Sequence, residues 1–284
     1  MIHGSGGYRA IHRGGSEDQV TNEGGGAGNV VIDPRAAVVP RRLRDVDRKL
    51  AFISSKGGVG KSSCAVLSAL LLARRGCRVG LLDLDFHGAT GHLFLGLDPD
   101  FPEEEGGILP LRAVTGLGFM SITLFTGERG VPFRGEEISS SILELLAVTI
   151  WGELDYLVVD MPPGMGDELF DLFALIPDCE PVVVTTPSPL SGRVVARLVR
   201  LLQEGGRNIL GVLVNQVSPA GLAPSGNRPG AQDKGLFNLK DVPVAGIGYD
   251  PGLDEAVGDP EKLLSTRFAA QLGEALESFL EPGA

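Results

Sequence analysis

A glycine-rich segment with two lysines has the residue types and the spacing that bind phosphate. It reads Ser54-Ser55-Lys56-Gly57-Gly58-Val59-Gly60-Lys61-Ser62-Ser63 and lies between an apolar stretch, residues 50–53, and a helix-like stretch, residues 64–73. Glycines let successive backbone N–H groups face a polyphosphate, and a helix that begins behind the loop adds the partial positive charge of its N-terminus. In such a loop Lys61 would contact the β- and γ-phosphates and Ser62 would bind Mg²⁺. The segment therefore predicts a site for a nucleoside triphosphate.

One position departs from the usual phosphate-loop pattern. The pattern G-x-x-x-x-G-K-[ST] would place glycine at position 55, where this chain has Ser55. A second lysine, Lys56, stands at the front of the loop instead. The residues that we predict to bind the nucleotide here are Gly57, Gly58, Val59, Gly60, Lys61, Ser62 and Ser63.

Carboxylates follow two apolar runs, Leu81-Leu82-Asp83-Leu84-Asp85 and Leu157-Val158-Val159-Asp160. We predict that Asp85 orients or activates the attacking water, and that Asp83 holds either the hydration shell of Mg²⁺ or the loop that follows. Asp160 is predicted to accept hydrogen bonds from magnesium-bound water, because Mg²⁺ keeps several waters and uses few protein carboxylates. The predicted magnesium site is therefore Ser62, Asp83 and Asp160, partly through water. The predicted catalytic residues are Lys56, Lys61 and Asp85.

The segment after Asp160 has the composition of a switch. It reads Met161-Pro162-Pro163-Gly164-Met165-Gly166-Asp167. The two prolines stiffen the loop, and Gly164 can bring its N–H close to a γ-phosphate. Pro163 and Gly164 are therefore predicted to sense whether that phosphate is present, so that hydrolysis becomes a conformational signal.

These segments need a scaffold of strands and helices in alternation. The apolar runs predict strands over residues 50–54, 78–83, 117–124, 154–160, 181–186, 209–215 and 242–247, and helices over 61–75, 138–150, 166–175, 190–204 and 261–280. Nearly unbroken Val, Leu and Ile are typical of strands buried on both faces. We therefore predict an α/β fold with a doubly wound, mostly parallel sheet and ligands at the carboxyl ends of its strands.

Composition divides the chain into two parts. Residues 1–46 are predicted to be a glycine-rich disordered leader followed by a basic linker, and residues 47–284 to be one nucleotide-binding domain. The net charge is −11. Residues 1–49 hold 8 Lys and Arg against 6 Asp and Glu, a net of +2, so that the remainder holds −13. An acidic body repels nucleic acid and anionic lipid surfaces, which argues against both as partners.

The apolar runs and the cysteines indicate the compartment. The longest apolar run, residues 65–73, is too short to cross a bilayer, and the N-terminal residues lack the pattern of a secretory signal. The three cysteines, Cys64, Cys77 and Cys179, are far apart and form no C-x-x-C pair. We predict a cytoplasmic protein with reduced cysteines.

Together these segments resemble the MinD/ParA/NifH class of P-loop ATPases, and more narrowly its Mrp/ApbC branch of iron–sulfur cluster carriers. The class is indicated by the loop with its signature lysine, Lys56. The branch is indicated by residues 151–157, by residues 160–167 and by Phe133-Arg134-Gly135. The resemblance implies a homodimer that hydrolyses ATP with Mg²⁺, is slow without a partner, and acts on a client protein that the sequence does not identify.

The resemblance also implies roles for particular residues. Lys56 would cross to the phosphates of the second subunit, as an arginine finger does. Asn215 matches the asparagine that contacts adenine, and Asp250 belongs to a Pro-x-Asp-Pro segment that packs around the base. In this chain Gly248 replaces the first proline of that segment.

One departure from the branch concerns the metal cluster. Such carriers usually have a C-x-x-C pair shortly after the adenine asparagine, whereas residues 216–230 of this chain contain neither cysteine nor histidine. Thiolates are the normal ligands of iron–sulfur clusters. We therefore predict an ATPase that assists metallocofactor or protein assembly without cluster ligands of its own, with residues 216–236 as a partner-binding loop.

Two alternatives remain open. A positioning or partition ATPase of the ParA/MinD type would use its dimer to bind DNA or membrane, and Arg193, Arg197 and Arg200 share one face of a predicted helix. A solvated polar face explains the same arginines. A regulatory nucleotide-binding subunit with negligible turnover would have the same loop and the same carboxylates.

Overall fold

The strand that leads into the glycine-rich loop, β1 (Val46–Ile53), lies inside an eight-stranded sheet. The computed structural model describes residues 33–113, 115–127, 135–218, 239 and 242–280. Within them the other strands are β2 (Val79–Asp83), β3 (Leu111–Arg112), β4 (Gly118–Ser121), β5 (Leu154–Asp160), β6 (Glu180–Thr185), β7 (Gly211–Val217) and β8 (Val244–Gly248). The order across the sheet is β3-β4-β2-β5-β1-β6-β7-β8.

All neighbouring strands of this sheet are parallel except β3 and β4, which are antiparallel. Helices connect the parallel strands, so that the carboxyl ends of β1, β2, β5 and β6 meet at one edge. The predicted α/β class, with a doubly wound and mostly parallel sheet, is therefore confirmed.

The helices of the described residues begin with a 3₁₀ helix, Pro34–Ala37, and continue as α1 (Val39–Arg42), α2 (Lys61–Arg74), α3 (Gly91–Leu95), α4 (Thr123–Thr126) and α5 (Glu136–Val148). They end with α6 (Asp167–Leu175), α7 (Pro189–Glu204), α8 (Gly252–Glu255), α9 (Pro260–Leu264) and α10 (Arg267–Leu280). Helix α2 packs against β1, β2 and β5 and is covered by α9 and α10. Its residues 64–72 are all buried, which explains why they are almost entirely apolar.

Several elements differ from those predicted, among them β1, which begins at Val46 and not at residue 50. The two-residue strand β3 at the edge of the sheet is too short to leave a pattern. The strand predicted over 117–124 ends at Ser121, and α4 follows directly. The final helix predicted over 261–280 is two helices, because the Thr266 hydroxyl accepts the Ala269 N–H (3.1 Å) and starts a new helix there.

The residues just before β1 pack on the domain. Val39 and Leu43 are buried, and Arg35 pairs with Asp33 and Glu144 of α5, at 2.7 Å each. The predicted boundary at residue 46 stays a prediction. The glycine-rich residues 1–28, which we predict to be disordered, lie outside the described residues.

Candidate nucleotide site

The glycine-rich loop borders a cavity at the carboxyl edge of the sheet. The cavity has a volume of about 140 Å³. Its lining residues come from the loop, from the segment after β2 and from the segment after β5: Ser54, Lys56, Gly57, Gly58, Val59, Gly60, Lys61, Ser62, Ser63, Asp85, Thr90, Phe94 and Pro163. All of the predicted phosphate-loop residues therefore lie around one cavity, together with Asp85 and Pro163.

The backbone of the loop has a conformation that can bind an anion. Gly58 and Gly60 have φ of +73° and +82°, which L side chains rarely adopt. Within the described part of the chain, the N–H groups of residues 56–60 have no backbone acceptor. Helix α2 begins at Lys61, so that its positive end faces the same cavity. Unpaired N–H groups at a helix N-terminus form an anion-binding site.

Lys61 and Asp160 form a buried ion pair beneath the loop. The Lys61 ammonium hydrogen-bonds Asp160 Oδ1, and the two side chains are 5% and 1% exposed. Burial raises the pKa of the Asp160 carboxyl, and the nearby Lys61 charge opposes that shift. Asp160 Oδ2 is buried and has no hydrogen-bond partner among the described residues. Lys61 also lies 3.3 Å from the Ser62 hydroxyl, so the predicted magnesium residues Ser62 and Asp160 flank the same lysine.

Asp83 and Asp85 differ in their surroundings. Asp83 is buried, and its two oxygens accept the N–H groups of Asp85 and Gly91, both at 3.0 Å. Burial, reinforced by the charge of Asp160, raises the pKa of Asp83 to about 7. Asp85 is partly exposed, accepts the Gly88 N–H at 3.0 Å and lies 3.9 Å from Lys61. Asp83 thus holds the segment that carries Asp85, and its predicted role at the metal stays a prediction.

The two predicted switch residues lie on the segment after β5. Pro163 is exposed and lines the cavity. The Gly164 N–H donates to the Ser54 carbonyl at 2.8 Å, at the end of β1. A contact between this N–H and a γ-phosphate therefore requires that the bond to Ser54 be broken first.

The two predicted adenine residues have protein partners. Asn215 is buried, and its amide donates to the Val59 carbonyl of the loop at 2.9 Å. The Asp250 carboxylate accepts the N–H groups of Gly252 (3.2 Å) and Phe268 (2.9 Å), and so caps the start of α10. Their contact with adenine stays a prediction.

Lys56 differs from Lys61 in its exposure. Its side chain is exposed and forms no ion pair with any described carboxylate. Its carbonyl is held by the Ser54 hydroxyl at 3.0 Å. Ser54 was not predicted as a site residue, although it holds both the front of the loop and Gly164. A small polar residue directly after a buried strand was the available signal.

The three cysteines are dispersed through the fold. Cys64 lies on α2 and Cys179 precedes β6, and both are buried, whereas Cys77 is partly exposed. Burial raises the pKa of the Cys64 and Cys179 thiols well above its usual range. The loop predicted to bind a partner, residues 216–236, lies mainly outside the described residues.

The arginines of α7 are arranged as predicted. Arg193, Arg197 and Arg200 are all exposed on one face. None of them forms an ion pair with a carboxylate in the described ranges. Among the described helices, none is long and apolar enough to span a membrane.

Comparison with known proteins agrees with this geometry. Residues 45–221 match the ParA family model described as the NUBPL iron-transfer P-loop NTPase. An iron–sulfur cluster carrier protein of Methanocaldococcus jannaschii is 34% identical over 183 residues, which span 63% of each chain. A carrier protein of Saccharolobus solfataricus is 32% identical over 237 residues, 78% of each chain.

A solved structure supports the same assignment. The nucleotide-binding protein of Archaeoglobus fulgidus in complex with ADP superposes with a TM-score of 0.66 at 26% identity. The match covers 86% of this chain and 96% of that protein. The chain therefore belongs to the ParA-type family of NUBPL iron-transfer P-loop NTPases.

Proposed function

We propose that this protein is a Mg²⁺-dependent ATPase that works as a homodimer and assists the assembly of iron–sulfur or other metallocofactor proteins. The observation that supports this most directly is the cavity lined by unpaired loop N–H groups and by Lys61, whose ammonium bonds Asp160, a carboxylate with a free Oδ2. Phosphate oxygens match the N–H groups and the lysine, and magnesium-bound water matches the carboxylate. The P-loop NTPase family and the ADP complex of the Archaeoglobus fulgidus protein support a nucleotide as the ligand.

In this proposal each side chain has one task. Lys61 exchanges its bond to Asp160 for the β- and γ-phosphates. Asp85, which lies on the segment held by Asp83, orients the water that attacks the γ-phosphate. Lys56 is exposed at the rim, and a second subunit would receive it at its own phosphates. Because the site is completed in this way only by a partner, turnover would be slow in the monomer.

The residues present also fit the metal. Ser62 and Asp160 would hold Mg²⁺, Asp160 through water, since Oδ2 is a buried acceptor without a protein donor. The ion would neutralise charge on the β- and γ-phosphates. Asp83 fits this task less well, because the Asp85 and Gly91 N–H groups already occupy its oxygens.

The residues do not fit a bound iron–sulfur cluster as cargo. The chain has no C-x-x-C pair, and the Cys64 and Cys179 thiols are buried. We therefore propose that the protein drives the assembly of a metal cofactor that is held on a client protein, which remains to be identified. We also propose that it acts in the cytoplasm.

The ParA/MinD-type positioning role is the second candidate function, since the exposed arginines of α7 would suit DNA.

Titration of the purified protein with ATP tests the proposal. We expect micromolar-range binding that requires Mg²⁺ and slow release of phosphate. Lys61→Ala should abolish both, whereas Lys262→Ala, at an exposed ion pair far along the chain, should change neither. Full ATP affinity in Lys61→Ala would contradict the assignment of the loop.

A further inference from the structure

Asn215 joins the end of β7 to the phosphate loop. Its Nδ2 donates to the Val59 carbonyl at 2.9 Å, and its Oδ1 accepts the Gln216 N–H at 2.8 Å. The second bond identifies which end of the amide is oxygen, so the donor must face Val59. The side chain is 4% exposed. Both polar ends of Asn215 are therefore engaged inside the protein.

The backbone around Asn215 is shaped for this contact. The pairing of β7 with β8 is irregular between Val214 and Val217, and Gln216 has φ of +59°, a value that non-glycine residues seldom adopt. A Cβ at Gly60 would lie 2.2 Å from Asn215 Nδ2. The amide therefore fits directly against the loop at Gly60, where a side chain would collide with it.

The bond to Val59 has a consequence for Gly60. The peptide between them is trans, and a trans peptide directs its C=O and its N–H to opposite sides. Because Asn215 holds the Val59 carbonyl towards β7, the Gly60 N–H must point away from β7. Gly60 lines the cavity, and its N–H has no backbone acceptor among the described residues.

From this geometry we infer that Asn215 is a positioning residue of the phosphate site: it holds the Val59–Gly60 peptide so that the Gly60 N–H faces the polyphosphate. The inference rests on the proposed nucleotide site and assigns to Asn215 a task that does not depend on the base. Removal of the amide donor should weaken the binding of every ligand that presents the same phosphates, whatever base is attached.

Binding of three ligands tests the inference: ATP, GTP and inorganic tripolyphosphate, each measured with Mg²⁺ by calorimetry. Asn215→Asp keeps the shape of the side chain and replaces the donor by an oxygen, and Asn215→Ala removes the whole amide. We expect Asn215→Ala to weaken the binding of ATP and of tripolyphosphate by the same factor, about tenfold for one lost buried hydrogen bond, with an unchanged ATP-to-GTP ratio. Asn215→Asp should weaken both further, because its added charge faces the Val59 carbonyl. Gln203→Glu makes the same amide-to-acid change at an exposed position of α7 and should leave all three affinities unchanged.

The outcomes separate the possible roles. A loss of ATP affinity with tripolyphosphate unaffected would overturn the inference and make Asn215 a base contact. Unchanged affinity for all ligands would also overturn it. A wild-type protein that binds neither ATP nor tripolyphosphate would overturn the proposed function itself. Circular dichroism checks that each variant is folded, and if Asn215→Asp is not, Asn215→Ala decides by the same ratios.

Discussion

The ammonium of Lys61 hydrogen-bonds the carboxylate of Asp160, although one residue is predicted to hold phosphate and the other magnesium-bound water. Both groups are almost fully buried. Lys61 must leave Asp160 Oδ1 to reach phosphate, and magnesium-bound water, which Oδ2 can accept, then compensates the charge of the carboxylate. We therefore expect nucleotide and Mg²⁺ to bind with positive cooperativity.

The first prediction concerns stability without added nucleotide. Lys61→Ala should lower the free energy of unfolding by about 3–5 kcal/mol, because Asp160 is left as an uncompensated buried charge. The double variant Lys61→Ala with Asp160→Asn should recover most of that loss. Urea unfolding followed by circular dichroism measures both. Lys262→Ala, at the exposed pair with Asp259, should cost less than about 1 kcal/mol. Equal losses in the single and double variants would show that the loss does not come from an uncompensated charge on Asp160.

The second prediction separates Asp83 from Asp160. Asp160→Asn should lower the apparent affinity for Mg²⁺ in the ATPase reaction by at least about tenfold, because a charged acceptor is lost. Asp83→Asn should lower kcat with little change in the Mg²⁺ requirement, since Asp83 holds the N–H groups of Asp85 and Gly91. Titration of Mg²⁺ at saturating ATP measures the difference. A larger loss of apparent Mg²⁺ affinity in Asp83→Asn than in Asp160→Asn would indicate that Asp83 binds the metal.

The third prediction concerns Lys56. Its exposed side chain has no carboxylate partner among the described residues, so Lys56→Ala should leave stability unchanged within about 0.5 kcal/mol. ATP affinity should also persist, whereas turnover should fall by about 10³-fold if the lysine acts across a dimer. Sedimentation with a non-hydrolysable ATP analogue reports the dimer. Mixing Lys56→Ala with Asp85→Ala, which should still bind ATP, should restore activity, because one mixed site then has both Lys56 and Asp85, and no recovery would argue against action in trans.

The fourth prediction uses the thiols. Because burial raises the pKa of Cys64 and Cys179, only Cys77 should react rapidly with a thiol reagent at pH 8, and all three should react after unfolding. Cys77→Ser should remove the fast phase. Anaerobic reconstitution with iron and sulfide should then leave no stoichiometric cluster. About one cluster per dimer would contradict the proposal that the cluster is held elsewhere.

The fifth prediction concerns nucleic acid. Three arginines that neutralised DNA phosphates would give a slope of about −2.7 for log affinity against log salt. We expect no such binding by the ATP-bound protein, and no difference between wild type and the variant in which Arg193, Arg197 and Arg200 are all glutamate. Fluorescence anisotropy of a labelled duplex across a salt series measures this. A steep slope that the triple variant abolishes would favour the partition-type role.

The sequence was sufficient to predict the parts of the site that are formed by contiguous residues. The strand, the glycine-rich loop and the helix after it are contiguous, and the carboxylates follow apolar runs, so their meeting at one edge followed from parallel topology. Contacts between distant residues were not predictable in the same way. Lys61 and Asp160 are 99 residues apart, and Asn215 is 156 residues from Val59. Neither spacing leaves a pattern in sequence.

The same distinction explains the differences in the fold. The long buried strands were predicted because nearly every residue in them is apolar. The two-residue strand β3 depends on pairing with β4, and the start of α10 depends on the Asp250 and Thr266 side chains. Such elements are defined by partners elsewhere in the chain, so periodicity does not reveal them.

The central position of β1 has a consequence for the order in which the protein is made. Its two neighbours, β5 and β6, are paired through Leu154 and Glu180, more than a hundred residues later. At about 5–20 residues per second, roughly 6 to 25 s separate synthesis of the loop from synthesis of the strands beside it. During that interval a ribosome-bound chain has the loop's residues but lacks the sheet that shapes them. Nucleotide binding that depends on the shaped loop therefore cannot precede the synthesis of β5 and β6.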